Sequence, residues 1–145
     1  MLKLTDDGGK KILDVFFGDA PAPTSYYLEL FTDSNPLADT DGGGSTRTLA
    51  AGGGYAELDM STLATAAQLI GGIPVIEWED AVFTFTGPLT GNPAIKGYAV
   101  IMDNVVIFEE LLLNGAGVAA PYTPVNNGDI LRIALAFQLG NGTPA

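Results

Sequence analysis

Short segments in which apolar and polar residues alternate run through most of this 145-residue chain. The clearest are residues 82–86, where Phe83 and Phe85 would share one face and the threonines the other, and residues 133–137. Alternation with a period of two is the pattern of a half-buried β-strand. Alternating or short apolar runs predict strands at residues 25–32, 55–60, 75–79, 81–86, 94–102, 105–112 and 130–139.

Glycine and proline separate these segments. The chain has 19 glycines and nine prolines, spaced between the runs rather than gathered in one linker. This layout predicts an all-β fold, an antiparallel β-sandwich or jelly-roll-like domain with a short N-terminal helix. Asp103 and Asn104 lie between two apolar runs and predict a two-residue hairpin turn. The length favours a single domain over residues 1–145.

Residues 1–18 depart from the β pattern and predict the short N-terminal helix. Thr5 is a suitable N-cap, because its hydroxyl can accept a hydrogen bond from an unpaired N–H of the first turn. Asp6 and Asp7 follow in that turn, where the helix dipole favours negative charge. Gly18 ends the helix. The apolar positions at helical spacing are Leu4, Ile12, Leu13, Phe16 and Phe17.

Gly8 and Gly9 weaken this helix, since each costs about 1 kcal/mol relative to alanine. A short helix with two glycines is not stable alone in water, so it must dock on another surface. That surface is either the sheet of its own chain or a neighbouring subunit. We expect Ile12, Phe16 and Phe17 to supply the contact.

Residues 35–54 predict a long, mobile, glycine-rich loop. Loops of this length in a compact domain are usually disordered or bind something, and both possibilities stay open. Its glycine clusters lack the Gly-Lys-Ser/Thr ending of a phosphate-binding loop. Asp33, Asp39 and Asp41 offer oxygen ligands to Ca²⁺, but their spacing does not fit an EF-hand. We therefore assign no metal and no cofactor, and leave open whether the loop binds a cation.

Histidine and cysteine are both absent from the sequence. A Ser-His-Asp triad, a Cys-His pair and the usual zinc ligands are therefore excluded. Glu77 and Glu79 would share a strand face at a separation like that of retaining glycosidases. Adjacent glutamates beside Trp78, which we expect in the core, are more typical of a solvated strand face. The sequence predicts no catalytic residue and no enzyme.

The charge of the chain restricts its partners. Six Lys and Arg stand against 17 Asp and Glu, which gives a net charge of -11. This disfavours nucleic acid and an anionic membrane surface, both of which attract basic proteins. The start of the chain reaches acidic residues and glycine before an apolar run can form, so it does not predict a signal peptide. We expect folding in the cytoplasm.

Six sequence motifs, in one order, resemble those of small structural proteins encoded by tailed bacteriophages. They are LTDDG at 4–8 with ILD at 12–14, PTSYYLELFT at 23–32, GGGYA at 52–56, FTFTG at 83–87, IKGYAV at 95–100 and NGDIL at 127–131. Together they extend over nearly the whole chain. The resemblance implies a β-sandwich or jelly-roll domain that works as an oligomer, often a trimer, as a capsid cement or decoration protein or as a small tail component.

The resemblance and the composition agree on a protein that assembles rather than catalyses. We expect a homotrimeric cement protein that binds between subunits of the major capsid protein, on the capsid surface of the virion, after synthesis in the host cytoplasm. The alternatives are a tail or baseplate accessory protein and a receptor- or carbohydrate-binding virion module. The candidate assembly contacts are Leu4, Ile12, Phe16, Phe17, Arg47, Tyr55 and Tyr122.

Overall fold

A computed structural model describes residues 3–33, 47–61, 63, 68–70 and 73–138. These residues form one α-helix and eight β-strands. In chain order they are β1 (Lys3–Leu4), α1 (Asp6–Phe16), β2 (Tyr26–Phe31), β3 (Leu58–Asp59), β4 (Gln68–Ile70), β5 (Ile73–Thr84), β6 (Gly97–Met102), β7 (Val105–Leu111) and β8 (Ile130–Gln138).

The strands form two antiparallel sheets with a shared core. One sheet has five strands in the order β1-β7-β6-β2-β3, and the other has three in the order β4-β5-β8. Buried side chains from both sheets meet between them: Leu28, Leu30 and Tyr98 from the first, and Ala81, Phe83, Ile133 and Leu135 from the second. This arrangement confirms the predicted all-β, sandwich-like domain with a short N-terminal helix.

Strand β5 is longer than predicted. The sequence predicts two strands, at 75–79 and 81–86, whereas β5 is one strand that pairs with β8 along most of its length. The register shifts between Trp78 and Ala81, so a β-bulge lets the pairing with β8 continue past the polar residues at 79–80. Strands β1 and β4 were not predicted, because two and three residues are too few to show a pattern.

The predicted hairpin turn between β6 and β7 is confirmed. Asp103 and Asn104 have φ values of 47° and 65°, and a two-residue type I′ turn needs positive φ at both positions. The Asp103 carboxylate accepts hydrogen bonds from the backbone N–H groups of Thr24 at 2.9 Å and Ser25 at 3.1 Å. It also lies 3.2 Å from the Lys11 amine. This turn therefore ties together β6, the start of β2 and α1.

Helix α1 begins as predicted. Thr5 is the N-cap, and its hydroxyl oxygen accepts a hydrogen bond from the Gly8 N–H at 2.8 Å. The same hydroxyl donates to the backbone oxygen of Val106 in β7. A Cβ on Gly8 would lie 2.6 Å from the Cα of Ile107, so glycine is required where the helix meets the sheet. Gly8, one of the two glycines predicted to weaken the helix, is therefore the residue at which α1 lies directly against β7.

The predicted loop at 35–54 is described only from residue 47 onward. The Ala50 N–H donates to the Leu30 oxygen at 2.8 Å, and Leu49 forms a bridge with Phe31. These contacts hold the end of the segment along β2, and Ala50 is buried. Residues 34–46, which include Asp39 and Asp41, lie outside the described residues, so the mobility of the loop stays a prediction.

Candidate assembly site

Helix α1 has more apolar surface than its own sheet covers. Ile12 and Val15 are half-buried toward the sheet. Leu13 lies three residues before Phe16 and four before Phe17, so it is a neighbour of both on the helix surface, and the three are 57%, 79% and 73% exposed. Of the two docking surfaces left open by the sequence, α1 therefore meets the sheet of its own chain at Gly8, whereas Phe16 and Phe17 stay exposed. The apolar stripe of α1 is therefore wider than the part of the helix that the sheet covers, and the exposed part of the stripe is Leu13, Phe16 and Phe17.

Phe16 and Phe17 form an ordered pair. Their ring centroids lie 5.1 Å apart and the rings meet edge to face at 85°. This is a favoured geometry for two aromatic rings, so the pair holds its shape at the end of α1. We call these two residues the aromatic knob.

An apolar cavity of about 410 Å³ opens beside the aromatic knob. Its walls come from three layers: Ile12 and Phe16 from α1, Val100 and Phe108 from the five-stranded sheet, and Trp78 and Leu135 from the three-stranded sheet. All the described lining residues are apolar or aromatic. We call this space the α1 cavity. It is large enough for a binding site and has no charged side chain among these wall residues.

The α1 cavity continues along the helix. A second space of about 210 Å³ shares Ile12, Phe16, Tyr26 and Met102 with it and extends to Pro23. Gly8 lets the first turn of α1 touch the sheet, whereas Phe16, near the last turn, forms the rim of the cavity. The apolar space therefore extends from the α1 cavity past Ile12 and Phe16 toward Pro23.

A charged row crosses the outer face of the five-stranded sheet. Glu29 in β2, Ala99 in β6 and Glu109 in β7 are register partners, so their side chains share one face. The Arg47 guanidinium lies 2.5 Å from the Glu109 carboxylate, and these side chains are 5% and 2% exposed. Burial raises the pKa of Glu29, and the nearby Glu57 carboxylate raises it further, while Arg47 opposes the shift. The charged side chains of this row are therefore buried or half-buried, although they lie on the sheet face opposite the main core.

Three of the candidate assembly contacts are engaged within the chain. Arg47 is in the ion pair with Glu109. The Tyr55 hydroxyl accepts a hydrogen bond from the Leu30 N–H at 3.0 Å. The ring of Tyr122 packs on Phe85 with centroids 6.1 Å apart. Each of these three side chains is therefore engaged by a different partner within the chain.

The other four candidate contacts all lie near α1. Ile12 and Phe16 line the α1 cavity, and Phe17 extends the aromatic knob outward. Leu4 is 47% exposed in β1, and its side chain lies 3.6 Å from where a Cβ on Gly9 would be. The structure therefore places four of the seven candidate contacts on α1 or beside it.

Sequence reasoning missed several residues of this site. Leu13 belongs to the predicted apolar stripe, and the helical spacing could have identified it as a contact. Trp78 was expected in the core, but it is only half-buried and forms a wall of the cavity. Val100 and Leu135 carry no signal that separates a cavity wall from ordinary core.

The remaining candidate chemistry finds no support in the described part of the chain. No group of three or more His, Cys, Asp or Glu residues is placed there to hold a metal ion. Asp33 accepts a hydrogen bond from the Thr48 N–H at 3.0 Å. Glu77 is exposed on β5, and the side chain of Glu79 lies outside the described part.

None of the helical residues that the structure describes forms a segment long and apolar enough to cross a membrane. Comparisons of the chain with protein-family models, with curated proteins and with solved structures found no match. The function therefore has to be inferred from the surfaces of the chain itself.

Proposed function

We propose that this chain is a virion structural protein of a tailed bacteriophage. Its proposed role is that of a capsid cement protein, which binds between major capsid subunits as a homo-oligomer, with a trimer as the expected state. The observation that carries the proposal is the exposed aromatic knob at the mouth of the α1 cavity. The resemblance of the six sequence motifs supplies the biological setting.

The aromatic knob favours an assembly role on physical grounds. Two neighbouring phenylalanines more than 70% exposed lose the stabilisation that burial would give them, at about 25 cal/mol for each Å² of apolar surface. Contiguous exposed apolar surface marks interaction sites in soluble proteins, and aromatic residues are prominent at the energetic centres of interfaces. A partner that covers the knob recovers this burial.

The charges of the chain favour the same kind of contact. Arg47, Lys10 and Lys11 are paired with Glu109, Asp14 and Asp103 inside the chain. Half of the six Lys and Arg side chains are therefore paired with carboxylates of the same chain, whose net charge is -11. An apolar contact lets such a chain attach to a shell without a basic patch of its own. Repetition over many sites then adds avidity to a weak single contact.

The number of copies in a virion separates the proposed role from its runner-up. A cement protein is present in hundreds of copies per particle, and a tail or baseplate accessory protein in about a dozen, by the repetition of their sites. Densitometry of purified virions against the major capsid protein measures this number. A count near a dozen would assign the chain to the tail, and absence from the virion would refute both roles.

Incorporation of variants tests the surface itself. We expect Phe17→Ser to lower incorporation into particles, because it removes an apolar contact from the knob. Leu69→Ser is the matched control, since Leu69 in β4 is 74% exposed and Phe17 is 73% exposed. Equal loss with both variants would mean that the knob has no special role.

A further inference from the structure

We infer that the α1 cavity is completed by a second copy of this chain, whose Phe17 enters it. This inference deepens the proposed assembly role and rests on it. It identifies the first partner of the aromatic knob as the protein itself. The cavity and the knob are then two halves of one contact.

The size of the cavity fits such an occupant. A space of about 150 Å³ is enough for a benzene molecule in an apolar protein interior. At about 410 Å³, the α1 cavity has room for a phenyl ring and a neighbouring aliphatic side chain. Phe17 and Leu13 offer this combination, because they lie four residues apart on one face of α1 and are 73% and 57% exposed.

The positions of knob and cavity favour self-association. Phe16 forms part of the cavity wall, and the exposed ring of Phe17 has its centroid 5.1 Å from that of Phe16. The apolar projection and the apolar recess are therefore neighbours on one surface. Two copies related by a two-fold axis exchange projections, so each cavity receives the other copy's Phe17. In a closed ring of three copies, each cavity would instead receive the Phe17 of the next copy in the ring.

The charges near this surface permit the contact. The described wall of the cavity has no charged side chain. The charged residues Lys10 and Asp14, on α1, lie 2.5 Å apart and neutralise each other. Contact between the apolar surfaces therefore does not bury an unpaired charge from this pair. Each copy carries a net charge of -11, so long-range repulsion opposes association and salt weakens that repulsion.

Trp78 makes the inference measurable. It is the only tryptophan in the chain, and it lies in the cavity wall. The tryptophan fluorescence of the folded chain therefore comes from one residue, at the α1 cavity. We expect the full chain, from micromolar to millimolar concentration, to sediment as a larger species as the Trp78 emission shifts to shorter wavelength. Both changes should occur at lower protein concentration when NaCl is raised.

Two variants separate the knob from the cavity. Phe17→Ser removes the knob, and Val100→Phe fills the cavity from β6. Each should raise the dissociation constant at least about tenfold, the effect expected of a central interface residue. Leu69→Ser, the control with equal exposure, should associate like the unmodified chain. Circular dichroism checks that the variants are folded, and Phe17→Ser should fold because Phe17 is exposed.

Mixing the two variants gives the most specific test. Phe17→Ser keeps an open cavity, and Val100→Phe keeps its knob. A mixture therefore restores one of the two contacts, and we expect hetero-association that neither variant shows alone. Should Val100→Phe fail to fold, the comparison of Phe17→Ser with Leu69→Ser still decides the matter.

Several outcomes would overturn the inference. One is a chain that stays monomeric with an unchanged Trp78 emission at all concentrations. Another is unaltered association of Phe17→Ser. Binding of an uncharged apolar probe, diphenylhexatriene, by a chain that remains monomeric would assign the cavity to a small molecule instead. A chain abundant in virions but monomeric in solution would refute this inference and leave the proposed function intact, and the reverse result would refute only the proposed function.

Discussion

Arg47 and Glu109 form an ion pair of 2.5 Å in which both side chains are almost fully buried. The pair links the segment after residue 46 to β7 across 62 positions of sequence. Ala99, the register partner of Glu109 in β6, is fully buried as well. The pair therefore fixes the segment that runs along β2.

Breaking this pair should destabilise the fold. Arg47→Met removes the guanidinium from the buried Glu109 carboxylate, and we expect a loss of about 3–5 kcal/mol in the free energy of unfolding. Urea unfolding followed by Trp78 fluorescence measures the change. The double variant with Glu109→Met should recover much of the loss, because it removes both charges. Lys10→Met, which breaks the surface pair with Asp14, should leave the free energy of unfolding nearly unchanged, because exposed ion pairs contribute little to stability.

Two adjacent glycines in α1 should respond oppositely to alanine. A Cβ on Gly8 would lie 2.6 Å from Ile107 atoms, whereas a Cβ on Gly9 would be 3.6 Å from Leu4, an ordinary contact. Alanine is a better helix former than glycine by about 1 kcal/mol. We therefore expect Gly9→Ala to raise the urea midpoint and Gly8→Ala to lower it. An increase with both variants would show that the helix does not rest on β7 at Gly8.

The Asp103 turn should make stability depend on pH. The Thr24 N–H is the largest cause that lowers the pKa of Asp103, to about 2, and Lys11 and Ser25 add to it. An unfolded aspartate has a pKa of about 3.9. The stabilisation is therefore complete above that value and is lost as the pH falls toward 2.

Asp103→Asn tests this assignment. The amide oxygen can still accept from Thr24 and Ser25, but it does not titrate. We expect the unfolding free energy of the variant to fall less steeply with pH in acid than that of the unmodified chain. Some slope should remain, because backbone N–H groups of Asn126 and Val125 lower the pKa of Asp129 as well. Identical slopes in the two proteins would contradict the role of Asp103.

Attachment to a particle should tolerate salt if the contact is mainly apolar. Between about 50 mM and about 1 M NaCl, the Debye length falls from more than about 10 Å to about 3 Å. Attraction between exposed charges weakens over this range, whereas apolar burial does not. We expect the protein to sediment with its particles throughout the series. Progressive release as the salt rises would show that charge pairing holds it.

Features that depend on neighbouring residues were predictable from the sequence. The N-cap at Thr5 and the turn at Asp103 and Asn104 form as expected, since their conformations are set by side-chain chemistry within a few positions. The alternation at 82–86 placed Phe83 in the core because side-chain direction follows directly from the strand period.

Features that depend on distant residues were not predictable. The bulge that joins two predicted strands into β5 needs the register of β8. Glu109 stands beside Glu110 and looks like a solvated strand position, but Arg47 lets it be buried. The stripe on α1 shows which residues share a face, yet it does not show how far the helix is rotated on the sheet. The α1 cavity forms where three layers meet, so single segments carry no sign of it.

The hydrogen bond from Leu30 to Tyr55 has a consequence for how copies of this chain can meet. Strand β3 pairs with Tyr27 and Leu28 only, so the next stretch of β2 would otherwise offer its backbone to a foreign strand. The Tyr55 hydroxyl accepts a hydrogen bond from the Leu30 N–H, and the Ala50 N–H donates one to the Leu30 oxygen. An exposed strand edge is the usual starting point of fibril growth. On this side of the domain, copies at high local concentration can therefore touch without adding strands to one another.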